Sequence, residues 1–403
     1  TSVEPARVAV TVTPGQVYNF DRITVAGAGG TPLEGAPITA GDIGIQVGEP
    51  ALSATVVDAE TRLTGQLAAR GFAFAKIAER RAVVDHETRT MDVTYTVDPG
   101  PLTRFGQVSV EGLDQVYEQL VRNRIPWEPG DEYRPDEIED ARQAISGLNV
   151  FSSVRVGLAR EPGPDGVTPV TVTVAERPRR VIGAGFSYST EDGFATNAYW
   201  GHRNLFGGAE QLRLSATVSR IGENDLTDTE VRLNANFRKP DFLTLNQALI
   251  LDANLIRERP DAYDRDAIVL SALLERQLSD RLTVSGGVTL EQSRVVDPPD
   301  TTTESTLVGV PLTLRYDATN DLLNPTSGFR TDLLLTPFQQ IGGADSNFTV
   351  ARITNSAYYD FIGDGRFVAA GRFSLGSVFG SSTAAIPADK RFYAGGGGSI
   401  RGY

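Results

Sequence analysis

Cysteine is absent from this sequence, which excludes disulfides, thiol chemistry and zinc–cysteine sites. Histidine is nearly so: His86 and His202 are the only two, too few for a multi-histidine metal centre. Lysine is scarce as well. Lys76, Lys239 and Lys390 are three of 38 basic residues, an arginine bias that reads as base composition and carries no function. Positive charge is outweighed, with a formal net charge of −13 and a pI near 4.8. A nucleic-acid partner is therefore not expected, since that function leaves a basic footprint. No run of about 18 uncharged apolar residues occurs, so no transmembrane helix is expected; strands that cross a membrane would escape this test. The chain begins at Thr1 without a charged-then-apolar leader and reads as a mature chain or a fragment.

Against these absences, 40% hydrophobic and 22% charged residues are enough for folded structure. The length of 403 residues suggests two to three domains at about 150 residues each.

The first part repeats itself. Phe20, Ile23, Val25 and Gly27 recur as Phe105, Val108, Val110 and Gly112, all at one offset. The preceding Val10-Thr11-Val12-Thr13-Pro14-Gly15 matches Tyr95-Thr96-Val97-Asp98-Pro99-Gly100 at that same offset. Two segments at one spacing indicate a repeated module. Inside each module, Val56, Leu63 and Leu67, or Ile138, Ala141, Ile145 and Leu148, share a helix face, with Pro135 near a helix start. Each module reads β-α-α-β-β, a small α+β domain. The expected boundaries are 15–99 and 100–177, with 1–14 the last strand of a truncated module.

From about residue 179 the period changes to two. Leu212, Leu214, Ala216 and Val218 oppose Arg213, Ser215 and Thr217; Val231, Leu233, Ala235 and Phe237 oppose Arg232, Asn234 and Asn236. Eleven strands are expected, near 179–190, 194–202, 209–220, 228–238, 245–257, 265–277, 281–293, 305–316, 328–338, 347–361 and 366–379. Their lengths exceed the ~5–6 residues of a soluble sandwich and suit the ~9–11 of a membrane barrel. The polar face carries Arg213, Arg232, Glu275, Glu291, Arg315, Asp332, Arg352 and Arg372, as a water-filled lumen would. Leu214, Leu233, Val284 and Leu312 are expected to face lipid. Aromatics such as Tyr188, Trp200, Phe242, Tyr316, Phe361 and Phe379 fall toward strand ends, as interfacial girdles do. Short turns at 239–241, 279–280 and 363–365 should lie at the inner end, with longer loops at 258–264, 294–304 and 339–346 at the outer end and 317–327 as a long inner exception. Residues 178–403 thus read as the N-terminal portion of a barrel, and the chain as a fragment lacking both ends.

This order of modules and barrel resembles the POTRA-plus-barrel superfamily of outer-membrane assembly factors. Two motifs carry the resemblance. The run from Tyr316 to Gly328, with Asp317, Asn320, Asp321, Pro325 and Gly328, is similar to the family's inner turn ending in Pro-Thr-x-Gly. The run Gly395–Gly398 followed by Ser399, Ile400, Arg401, Gly402 and Tyr403 is similar to its Arg-Gly-Phe/Tyr loop, which folds back into the lumen. Within the superfamily, Asn197 to Gly208 and the low module count look most like the TamA branch, the translocation and assembly module barrel; BamA-type paralogues carry more modules.

The resemblance implies the bacterial outer membrane as location, with modules in the periplasm. It implies client β-barrel or autotransporter proteins, the outer-membrane bilayer, and a periplasm-spanning inner-membrane partner of the TamB type. It also implies that Arg401 pairs with a carboxylate on a later strand. No cofactor or metal is implied, and no enzyme.

The residues themselves offer little chemistry. The glycine run lacks the Gly-Lys-Ser/Thr ending of a phosphate-binding loop. His202 has no assembled Ser and Asp partners for nucleophilic catalysis. Asp317, Asn320 and Asp321 suit a turn better than a calcium loop. Gly183 and Gly185, two apart on the first barrel strand, mark it as weak; they would leave barrel closure reversible or clear room for the lumen loop. The expected function is insertion of client proteins into the outer membrane. The competing readings are a two-partner secretion pore, an outer-membrane lipase and a passive porin.

Overall fold

The computed structural model describes residues 16–27, 31, 33, 37–189, 193–221, 228–260, 262–297, 301–341 and 346–393. The expected strand within 1–14 and the loop motif Arg401, Gly402 and Tyr403 lie outside the described residues. The chain forms two compact units. One holds the described residues up to Gly112, with Val121–Gly147 and Ser153–Ala175; the other holds Leu113–Leu120, Leu148–Ser152 and the described residues from Glu176 onward.

The first unit contains two three-stranded sheets. Strands β1 (Asn19–Gly27), β2 (Lys76–Asp85) and β3 (Thr90–Asp98) form one in the order β1-β3-β2, with α1 (Ser53–Ala69) between β1 and β2 in sequence. β4 (Arg104–Glu111), β5 (Phe151–Leu158) and β6 (Val167–Glu176) form the other in the order β4-β6-β5, with α2 (Glu118–Arg122) and α3 (Pro135–Ser146) between β4 and β5 in sequence. In each, the first strand pairs in parallel with the last. The register shifts between Phe20 and Ile23 in one and between Phe105 and Val108 in the other. The repeat thus extends to a shared bulge, and both phenylalanines are buried.

α1 buries Val56, Ala59, Leu63 and Leu67 against Val93, Tyr95 and Val97 of the central strand. The Tyr95 hydroxyl donates to the Val56 carbonyl at 2.8 Å. Burial, with the nearby Glu60 carboxylate, pushes its pKa up to about 12. The second core stacks Phe105 on Trp127 at 4.3 Å between ring centroids. The first module departs from the expected two helices. Its first helix is a single 3-10 turn, Gly41–Ile43. The described stretch 37–50 contains too many glycines and prolines, Pro37, Gly41, Gly44, Gly48 and Pro50, for an α-helix to propagate.

The second unit is one antiparallel sheet of β7 (Arg180–Ser189), β8 (Gly193–His202), β9 (Gln211–Ile221), β10 (Glu230–Lys239), β11 (Gln247–Glu258), β12 (Asp264–Ser279), β13 (Leu282–Asp297), β14 (Thr301–Gly309), β15 (Leu312–Asp317), β16 (Gly328–Gln340), β17 (Asn347–Asp360) and β18 (Val368–Phe379). β7 and β18 are its two edges. The strand expected at 305–316 is two strands, both pairing β13 and β16. Pro311 has no N–H for the ladder and breaks it.

The loop lengths also differ from expectation. β13 pairs with β14 out to Asp297 and Thr301, so most of 294–304 is ladder. β-branched residues at Val295, Val296 and Thr301 to Thr303 keep it extended. At the other end the connections 280–281 and 318–327 are short and long as expected, whereas 203–210, 240–246 and 361–367 run seven to eight residues.

Candidate functional site

The sheet register sorts side chains into two faces. Leu214, Ala235, Ala253, Leu270, Leu290 and Val308 are neighbours in one row across six strands. On the same face, Arg257, Asp266, Arg294 and Glu304 form a charged row at one end, and Arg276 lies at the other beside Val284. Between Asp266 and Arg276, β12 shows Ile268, Leu270, Ala272 and Leu274. Ten residues at ~3.3 Å, tilted by ~40°, give an apolar band about 25 Å tall, the thickness a membrane barrel presents to lipid. Aromatic pairs flank the band: Tyr316 with Phe329 at 5.6 Å, Tyr359 with Phe361 at 5.0 Å and Tyr188 with Phe194 at 4.8 Å.

The opposite face is polar and carries ion pairs. Arg238 meets Glu275 at 2.7 Å, Arg315 meets Asp332 at 2.8 Å and Arg232 meets Glu258 at 3.2 Å. A cavity of about 420 Å³ on this face is lined by Glu275, Arg315, Asp332, Arg352 and Arg372. These are the charges that alternation assigns to the lumen.

The inner-turn residues are brought together. Asp317 accepts from the Thr319 amide and hydroxyl at 3.0 and 2.6 Å and from Arg330 Nε at 2.6 Å. Asn320 Oδ1 accepts from the amides of Thr326 and Ser327, both at 3.0 Å. Asp321 accepts from the amides of Leu323 and Asn324 at 2.8 and 2.7 Å, and these two donors hold its pKa below the usual aspartate value. Gly328 has φ +97°, and a Cβ there would stand 2.1 Å from the Ala318 carbonyl oxygen. Pro325 is half-buried within the same connection. The polar side chains close the turn on their own backbone, as Asx-type turns do.

On edge strand β7, Gly183 and Gly185 pair with Tyr199 and Asn197 of β8. The Tyr199 ring occupies the space a Gly183 side chain would take. Arg213 stacks on that ring, its Cζ 4.1 Å from the centroid.

Two further clusters escaped the sequence reading. The first lies around the turn after β8. Glu176 Oε1 accepts from the amides of Asp114, Gln115 and Val116, each at 2.9 Å. Burial works against its ionisation, but the three donors prevail and hold its pKa below the usual glutamate value. Asn204 Nδ2 donates to the Gln115 carbonyl at 3.1 Å, and the Tyr117 amide donates to the Gly207 carbonyl at 2.9 Å. The segment 113–120 therefore packs with the turn 203–210, at Asn204 and Gly207 of the motif 197–208.

The second cluster lies on the polar face. The chain after β18 turns back over it, and Ile386 joins Leu307 and Phe348 in a small core. Beside that core, Lys390 Nζ lies 2.6 Å from Glu291 Oε2 and Arg265 lies 2.7 Å from Glu291 Oε1. Arg265 also reaches Glu258 at 2.9 Å and Asp389 at 3.1 Å. Asp389 is fully buried, and its carboxylate makes ionic contacts too oblique for hydrogen bonds. The only sequence signal was Asp389-Lys390-Arg391, a charged run just ahead of the glycines.

A lipid-facing antiparallel sheet with a polar inner face, preceded by two small α+β modules, defines a membrane β-barrel protein with soluble modules. Residues 204–403 match the Omp85 superfamily domain, and residues 40–100 and 103–177 match POTRA, the surface antigen variable number repeat. The chain belongs to the Omp85 superfamily, carries POTRA domains, and is an outer-membrane protein with those domains in the periplasm.

Outer membrane protein assembly factor BamA of Nitratidesulfovibrio vulgaris is 25% identical over 347 residues, 83% of this chain and 42% of that protein. BamA from Haemophilus ducreyi lacking POTRA domains 1–3 has a similar fold, with a TM-score of 0.72 at 16% identity, over 96% of this chain and 75% of that one. CdiB from Escherichia coli gives 0.51 at 14% identity, over 99% and 74%. The chain spans less than half the length of the curated relatives it matches. These curated relatives are BamA proteins and do not single out the TamA branch that residues 197–208 and the low module count suggested.

Proposed function

We propose that this chain is the module-and-barrel part of a factor that inserts client β-barrel proteins into the outer membrane, without covalent chemistry. The modules are taken as 15–99 and 100–177, and the barrel portion as 178–403. The observation that carries this reading is the joining of two POTRA domains to an Omp85 sheet in one chain. In each module two strands are sheet edges, β1 and β2 in the first and β4 and β5 in the second, and can accept an extended client segment by β-augmentation. β7 is the edge of the membrane sheet, and Gly183 and Gly185 mark it as the seam through which client strands enter the bilayer. The inner-turn residues Asp317, Asn320, Asp321, Pro325 and Gly328 hold the sheet's periplasmic rim in one shape. Arg401, Gly402 and Tyr403 act as the lumen loop, with Arg401 bound to a carboxylate on a later strand; guanidinium suits this as a permanent, bidentate donor. Autotransporter clients and a TamB-type inner-membrane partner belong to the TamA-type form of the proposal, which the module count of the whole protein decides.

The test is reconstitution of the full-length protein in vesicles with an unfolded outer-membrane β-barrel client. Faster client folding than in protein-free vesicles is expected, with loss on Arg401→Ala and partial recovery with Arg401→Lys. Cysteine cross-linking of β7 to the strand that closes the barrel should block insertion and reduction should restore it. Passage of a secreted passenger into the vesicle lumen, with no client folding, would instead select the two-partner secretion pore.

A further inference from the structure

The segment after β18 is fastened to the polar face by three kinds of contact. Ile386 fills the core of Leu307 and Phe348. Lys390 and Asp389 enter the ion cluster with Glu291 and Arg265. Arg391 reaches Asp297 at 3.4 Å and donates to the Ile386 carbonyl at 2.8 and 3.0 Å, which rigidifies the segment itself. The cluster is dry: side-chain exposure is 0% at Asp389, 4% at Glu291, 11% at Arg265 and 13% at Lys390. Removing one partner from such a cluster leaves a buried charge uncompensated, which is far costlier than losing a surface pair.

The location matters as much as the strength. The contacts fall on β12, β13, β14, β16, β17 and β18, and among the described residues none falls on β7 or β8. In the sheet, β8 to β11 stand between the β7 edge and this patch. Movement of the β7 edge can therefore proceed without breaking a contact of the segment.

We propose that residues 386–391 are a permanent anchor. They hold the chain that leaves β18 against the middle strands while the β7 edge opens. Lys390 and Asp389 are positioning residues for that segment. The seam part of this inference rests on the insertion function proposed above; the anchor itself does not.

Two measurements on the full-length protein in vesicles separate these. In an Ala388→Cys reporter, buried at 2% exposure, labelling by a membrane-impermeant maleimide should be slow. Adding Lys390→Met should raise the rate about tenfold or more, the effect of leaving Glu291 and Asp389 to share Arg265 as counter-charge in a buried cluster, whereas Lys390→Arg should leave it low. Equal rates for Lys390→Met and the parent reporter would overturn the anchor, whether or not clients fold. Second, Leu307→Cys with Ile386→Cys, bridged by a short dithiol-reactive cross-linker, should insert clients within about twofold of the unbridged protein, since a permanent anchor loses nothing by being locked. Loss of insertion only in the bridged form would show that the segment must release.

Discussion

The Tyr199 ring lies across Gly183, its register partner on the neighbouring strand: a Cβ at position 183 would stand 2.4 Å from Tyr199 Cε1 and 2.8 Å from its hydroxyl oxygen. An aromatic ring folded over a glycine supplies packing that the glycine lacks. The edge strand is thus covered on its polar face by its neighbour's side chain. Gly183→Ala should destabilise the sheet by about 1–2 kcal/mol, the usual effect of overpacking. Gly185→Ala should cost less, because its nearest neighbour is the Asn197 amide at 3.1 Å. Urea midpoints in bilayers would check this, and Gly183→Ala combined with Tyr199→Ala should be less than additive. Full additivity would mean that the two residues are not coupled.

The lipid-facing assignment is testable by depth. Leu270 sits midway between the charges at Asp266 and Arg276, and Leu270→Arg should cost about 2–4 kcal/mol. Val284 shares a register row with Arg276, so it lies near the interface. Val284→Arg should then cost about 0–1 kcal/mol. Ser271→Arg, on the polar face, should be mild. Similar penalties for Leu270 and Ser271 would reverse or abolish the two faces.

Glu176 makes the segment 113–120 acid-sensitive. Its folded pKa lies below the ordinary glutamate value of 4.5. Its stabilising contribution is therefore complete above about pH 4.5 and is lost as pH falls through the depressed value. Glu176→Ala should destabilise this region by about 1–3 kcal/mol at neutral pH, the range for hydrogen bonds to a charged group. It should also flatten the pH dependence between neutral pH and the acid limb. Hydrogen exchange at the Asp114, Gln115 and Val116 amides measures both; protection that is unchanged in the variant would contradict the assignment.

Gly328 closes the inner turn with a left-handed backbone and the Ala318 carbonyl in close approach. Gly328→Ala combines positive-φ strain with a direct clash and should cost about 2 kcal/mol or more. Loss of heat-stable folded barrel on gel electrophoresis would show it. Wild-type behaviour would mean that the turn can rearrange freely.

Much of this architecture was legible one residue at a time. Lipid and water sort side chains individually, so a period of two exposes a membrane strand, and Leu214 against Arg213 needs no partner to be read. Helix faces such as Val56, Leu63 and Leu67 follow from the 3.6-residue turn in the same way. The repeat was legible because both copies keep a buried phenylalanine and a bulge at matching places. The Pro311 break was present in the letters as well, but the surrounding alternation masked it.

Tertiary structure decided what depends on pairs far apart in the chain. Glu291 and Lys390 are 99 positions apart, and neither letter shows that the chain after β18 turns back onto β13. The same holds for Tyr199 over Gly183 and for Glu176 beneath three amides of 114–116. Local preference acts along the backbone over a few residues, whereas a buried charge is tolerated only where folding delivers its counter-charge. That delivery is set by strand register and by the path of a returning segment, which no periodicity encodes.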